Sequence, residues 1–234
     1  HKELVKLDGA VDAVAVTKNC LSCHEKEGKA ILKTSHWNWH GPSPYTVGHE
    51  KRTDLGKKQN IINNFCININ GNWERCTSCH IGYGWRDKNF DFSDMTRIDC
   101  LVCHDTTKTY KKAPPGAGFP KKDVDLIKVA RNVGRPSRAT CGTNCHFVGG
   151  GGDAVKHGDM NTNLEAPKGT CDVHMGVDGK GMDFKCQTCH KTRNHMISGR
   201  SLSVPAAEGD LSCEYCHTDR PHTDANLLVY HLNK

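Results

Sequence analysis

Apolar residues in this chain recur in short clusters separated by polar and glycine-rich stretches, and few clusters hold one period for long. In "DVDLIKVARNVG" (123–134), Val124, Ile127, Val129 and Ala130 fall on one side and a glycine closes the run. That spacing predicts a short helix. Strand-like alternation is nearly absent, although "FCININ" (65–70) reads as a short extended piece. The clusters "APPGAGFP" (113–120) and "VGGGGD" (148–153) break helix and predict turns. No apolar run approaches the roughly 18 residues of a membrane span. The pattern predicts a mainly α chain with extensive coil, one domain over residues 1–234, and no transmembrane segment.

Hydrophobic residues make up only 36% of the 234 positions and aromatics 6%, little for an ordinary core of this size. The 14 cysteines change that picture. C-x-x-C-H occurs at Cys20, Cys23 and His24; at Cys76, Cys79 and His80; at Cys100, Cys103 and His104; at Cys186, Cys189 and His190; and at Cys213, Cys216 and His217. A sixth unit, "CGTNCH", is longer by one residue and holds Cys141, Cys145 and His146. In chain order, this stretched unit is the fourth of six. Repeated cysteine pairs each followed by histidine are not a disulfide framework, and the finger-like second ligand pair of a zinc site is missing. The spacing fits covalent haem c: two thiols add to two vinyl groups, and the adjoining histidine lies under the iron as axial ligand. Six haems would supply the missing apolar material, so the core is expected to be built from stacked haems.

Covalent haem attachment belongs outside the cytoplasm, so the chain is expected to be exported, periplasmic or extracellular. No signal peptide precedes His1, consistent with a leader removed or left out. The formal charge of +6 is offset by two propionates per haem, which leaves little support for nucleic-acid binding.

Low-spin electron-carrying haem needs a second axial ligand, and nine histidines lie outside the units. His174, His195 and His222 are favoured as distal ligands; His36, His157 and His231 complete the candidate set. His1, His40 and His49 read equally well as surface histidines. Histidine is preferred to methionine, of which there are only five. Asp153 and Asp159 are candidate ligands for a structural calcium.

Several blocks resemble the octahaem tetrathionate reductases, multihaem cytochromes related to nitrite reductase and hydroxylamine oxidoreductase. They include "TSHWNWHGPSP" (34–44), "NNFCI" (63–67), "RCTSCHIGYGW" (75–85), "IDCLVCHDTT" (98–107), "GRPSRATCGTNCHFVGGGGDAVKHGDM" (134–160) and "DVHMGVDGKGMDFKCQTCHKT" (172–192). The resemblance runs from about Cys20 onward. It implies a lysine-ligated catalytic haem on Cys76 and Cys79, with Lys156 as the iron ligand and Cys66 as the active-site thiol near its open face. A neutral amine can bind iron once its proton is displaced, and a thiolate beside an open iron position suits sulfur chemistry. Without the resemblance, Lys156 reads as a solvated lysine and Cys66 as a buried thiol or a disulfide partner of Cys171. The family carries eight haems and this chain six, so it is either a hexahaem relative or a piece ending before the last two sites.

Two functions follow. One is a reductase of a small sulfur or nitrogen oxyanion (tetrathionate, nitrite or hydroxylamine), fed by redox partner proteins or a quinol-linked donor, with Lys168, Arg193 or, if it binds no iron, Lys156 offering positive charge to the anion. The other is a non-catalytic electron conduit, either a periplasmic shuttle or an oligomeric subunit of an extracellular cytochrome filament.

Overall fold

The computed structural model describes residues 1–42, 47–59, 71–148, 152–154, 160–199 and 213–218. The fold is helix and coil with little sheet, the expected class. Its longest element is α1 (Ala13–Ile31), opened by Asp12, whose carboxylate accepts the Ala15 N–H at 2.7 Å. Ala13, Val16 and Thr17 turn inward near its start and Gly28 and Ile31 near its end. The remaining helices are single turns or little more: α2 (Ser35–Asn38), α3 (Trp73–Cys76), α4 (Leu101–His104), α5 (Leu126–Arg131), α6 (Arg138–Cys141) and α7 (Cys186–Cys189). Helices this short are not stable by propensity alone; packing and the local bonds around them set their bounds.

The patterned segment at 123–134 becomes α5, which starts only at Leu126 because Asp125 caps it, accepting the Lys128 N–H at 2.9 Å. Leu126, Val129 and Ala130 are its buried face, an i, i+3, i+4 stripe. Sheet is confined, among the described residues, to the hairpin of β1 (Thr192–Arg193) and β2 (Met196–Ile197), with Thr192 opposite Ile197 and Arg193 opposite Met196. Asn194 and His195 form its turn with φ of 50° and 66°, the left-handed pair that a two-residue hairpin loop requires. Residues 113–120 form the expected loop. Gly118, at φ 86°, passes so close to the Gly82 carbonyl that a side chain there would strike it. "FCININ" and residues 149–151 lie outside the described residues.

Two apolar clusters hold the fold. One gathers Val5, Ala13, Val16, Tyr83, Leu101, Val102, Tyr110, Leu126, Val129 and Ala130, with Cys20 and Cys103 packed against it. The second joins Ile31, Trp37 and Ile98, with Phe90, Phe92, Met95 and Cys100 alongside. Segment 97–99 ties both together. The Tyr83 N–H donates to Arg97 O at 2.8 Å, the Asp99 N–H to Ile81 O at 2.9 Å, and the Thr17 hydroxyl to Ile98 O at 2.6 Å. Residues following the second unit are thereby locked to those preceding the third. Among the described residues, no helix is long and apolar enough to cross a membrane.

Candidate functional site

Each attachment unit sits on a helical turn, which brings its two thiols to one edge. Cys20 and Cys23 lie on α1, which kinks at His24 (φ −114°, ψ 37°) and carries the imidazole off the helical path. Cys76 ends α3 and Cys79 the 3₁₀ turn after it, Cys100 precedes α4, Cys186 and Cys189 bound α7, and Cys213 opens a 3₁₀ turn. In the stretched fourth unit, α6 runs into a π-turn over Gly142–His146, with the Phe147 N–H donating to Gly142 O at 3.0 Å. An i→i+5 bond spans one residue more than the bond of an α-turn, so the insertion is absorbed within the turn. Gly142 permits it, because a Cβ there would fall inside the Phe147 ring.

The units adjoin one another through their sulfurs. Cys20 lies beside Cys100, Cys79 beside Cys145, and Cys141 beside Cys186. Cys103 is within electrostatic reach of both Cys141 and Cys145. The first unit therefore meets the third, the third approaches the fourth, and the fourth meets both the second and the fifth.

Distal histidines come to the motif histidines from far along the chain. Ring centroids of His104 and His195 are 6.3 Å apart, those of His36 and His146 are 6.3 Å apart, and those of His174 and His217 are 5.8 Å apart. Two imidazoles sharing one metal ion through bonds of about 2 Å hold their ring centres about 6 Å apart. His104 donates Nδ1–H to Gly134 O at 2.7 Å, and His190 donates Nδ1–H to Ser198 O at 2.8 Å. This fixes the tautomer and leaves Nε2 for iron, the usual outer-shell arrangement of a metal-binding histidine. Paired thiols on helical turns, imidazoles oriented by carbonyls and histidine pairs at metal-bridging separation fit haem c.

His80, in the second unit, is placed differently. It is fully buried among aromatic rings: Trp37 at 4.9 Å, Trp85 at 5.1 Å, Trp39 at 5.5 Å, Phe90 at 5.6 Å and Phe92 at 6.0 Å between centroids. Its Nε2–H donates to Trp37 O at 2.7 Å, while Nδ1 is buried with no hydrogen-bond partner. Burial keeps this imidazole neutral and pushes its pKa down to about 3. The nitrogen that faces iron in an axial histidine is thus turned onto a backbone carbonyl. Beneath it, Lys112 Nζ donates to the His80 carbonyl and stands 3.3 Å from Asp99 Oδ2. Asp99 also accepts from the Tyr83 and Tyr110 hydroxyls, at 2.9 and 2.8 Å, and from the Val102 N–H at 3.0 Å. Burial and the Asp99 carboxylate push both phenols well up.

Of the other sequence candidates, Cys66, Lys156, His157, His222 and His231 lie outside the described residues. Lys168, Arg193 and Cys171 are exposed. Asp153 is engaged by Thr162, accepting from its N–H at 2.8 Å and its hydroxyl at 2.7 Å, and Asp159 lies outside the described residues. Among the described residues, no group of three or more histidine, cysteine or acidic side chains is disposed to hold a metal ion by itself. Sequence reasoning did not find the enclosed Lys112–Asp99 pair. Asp99 directly precedes Cys100, but nothing in the pattern marks Lys112 as its partner.

No protein-family model matches the chain, and no curated protein does. Among solved structures it is similar to the octahaem cytochrome c from Shewanella oneidensis, with 45% identical residues and a TM-score of 0.82. The match covers 98% of this chain and 50% of that one, so the chain spans about half the length of that relative.

Proposed function

Since this chain belongs to the octahaem cytochrome c family, with haem c as its cofactor, we propose that it is a multihaem reductase of a small sulfur or nitrogen oxyanion. The observation that carries this reading is the contrast at His80. His104, His146 and His217 each face a second histidine, whereas His80 is tied to the Trp37 carbonyl in an aromatic enclosure. The second unit is the one whose haem the resemblance marks as catalytic, with Lys156 as iron ligand and Cys66 as thiol.

The haem that Cys76 and Cys79 would hold would supply electrons and bind the substrate. The chain's own residues do the rest. His195, His36 and His174 would hold, together with His104, His146 and His217, the irons of the haems on those three units. The adjacency of Cys20 to Cys100 and of Cys145 to Cys79, with Cys103 within electrostatic reach of Cys145, supports a short electron route to the second unit. Cys66 would hold the substrate or, as thiolate, attack a central sulfur of tetrathionate, breaking the central S–S bond and expelling one thiosulfate; two electrons then reduce the Cys66–S bond, release the second thiosulfate and restore the thiolate. Six haems in one exported domain, periplasmic or extracellular, fit this role, with a redox protein or quinol-linked donor as partner.

Adjacency of the units equally favours a second reading, an electron conduit. Electron paramagnetic resonance separates the two. A reductase has one haem whose signal is not that of a bis-histidine pair, and the full chain with Cys66→Ser loses tetrathionate turnover while keeping its haem content. A spectrum of bis-histidine haem alone, or turnover indifferent to Cys66→Ser, rejects the reductase.

A further inference from the structure

The first unit also has a partner histidine, one that in the sequence reads equally well as a surface residue. The rings of His1 and His24 lie 5.9 Å apart between centroids, at 27° between planes. That separation lies between those of the His174–His217 and His104–His195 pairs. In all four cases a histidine that follows a cysteine pair faces one from a distant part of the fold. We propose that His1 is the sixth ligand, opposite His24, of the iron of the haem attached through Cys20 and Cys23.

Three features place His1 there independently of ring stacking. Val5 is buried in the apolar cluster that also holds Ala13 and Val16 of α1, so the first residues are anchored beside the helix bearing the unit. The Leu4 and Val5 N–H groups donate to His1 O at 3.0 and 3.1 Å, closing a turn that folds His1 back. The kink at His24 lifts the second ring out of the helical path. His24 Nδ1 lies 3.8 Å from Glu27 Oε2, so a carboxylate stands near the nitrogen not needed for iron. Stacking in water gives little reason for the pair: the His24 side chain is 53% exposed, and two protonated imidazoles would repel. A shared metal ion makes both rings neutral ligands and accounts for their separation.

This inference rests on haem attachment at Cys20 and Cys23, and its test keeps the two apart. In the full haem-loaded chain, His1→Ala retains every haem by mass but converts one haem equivalent from a low-spin to a high-spin signal in electron paramagnetic resonance, and added imidazole restores the low-spin signal. His1→Met stays low-spin while the potential of one haem rises, because a methionine opposite histidine raises it. Full haem content with an unchanged low-spin count in His1→Ala overturns the ligation by His1. A chain that lacks haem at Cys20 and Cys23 even with His1 present overturns the attachment reading instead.

Discussion

Lys112 Nζ stands 3.3 Å from Asp99 Oδ2, and the two side chains are 3% and 0% exposed. Lys112 also donates to the His80 carbonyl, and Asp99 directly precedes Cys100, so one ion pair links the backbones of the second and third attachment units. Removing one member of such a pair leaves an uncompensated buried charge, which costs about 3–5 kcal/mol. We expect Lys112→Met to lower stability by about that amount, read as a fall in the thermal midpoint at unchanged haem content. A change within about 0.5 kcal/mol, the range of ordinary surface substitutions, would show that Asp99 is satisfied without the lysine.

The two phenols on Asp99 give stability an alkaline limit. Tyr83 and Tyr110 have folded pKa values well above their ordinary 10.0, through burial and then the Asp99 charge. Above pH 10 the unfolded chain sheds these protons and the folded chain keeps them, so stability is full below pH 10 and falls as pH rises. The slope is about 1.4 kcal/mol per pH unit for each tyrosine. Unfolding followed from neutral pH upward checks this, and Tyr110→Phe should flatten the alkaline fall while lowering stability at neutral pH.

Ligation by His195 can be separated from the hairpin it closes. His195 adopts φ 66° in the turn between β1 and β2, which glycine accepts more readily than alanine. His195→Gly therefore keeps the turn and deletes the ring facing His104. One low-spin haem should become high-spin with little loss of stability, whereas His195→Ala adds backbone strain. If the glycine variant keeps every haem low-spin, His195 is not the distal ligand there.

Asn144, within the π-turn, accepts the Lys112 N–H at 2.9 Å and donates to Tyr110 O at 3.3 Å. Asn144→Ala orphans both groups, at a cost of about 1–3 kcal/mol. Haem content should be unchanged, since Cys141, Cys145 and His146 remain. Loss of one haem by mass would mean that the π-turn depends on this side chain.

Much of this protein was legible in the chain because its chemistry is local. Five C-x-x-C-H units and the stretched sixth are fixed by spacing, and a helical turn is the geometry that brings two such thiols to one edge, so cofactor class and helix-and-coil fold followed from the residues. The helix of α5 was readable for the same reason, but its face only in part: Val129 and Ala130 are buried as the pattern placed them, while Leu126 takes the place of Val124 and Ile127 because the Asp125 cap starts the helix later. Long-range placement was not readable. His195 faces His104 because a two-residue turn happens to sit beside α4, and His1 reaches His24 because Val5 is buried next to α1. His80 carries the same motif as its fellows, yet its Nε2 is turned onto a carbonyl by an aromatic enclosure drawn from three separate segments. Short-range spacing specifies which atoms can bond covalently to a haem; which imidazoles meet across an iron depends on packing between segments distant in sequence, and only the tertiary structure decides that.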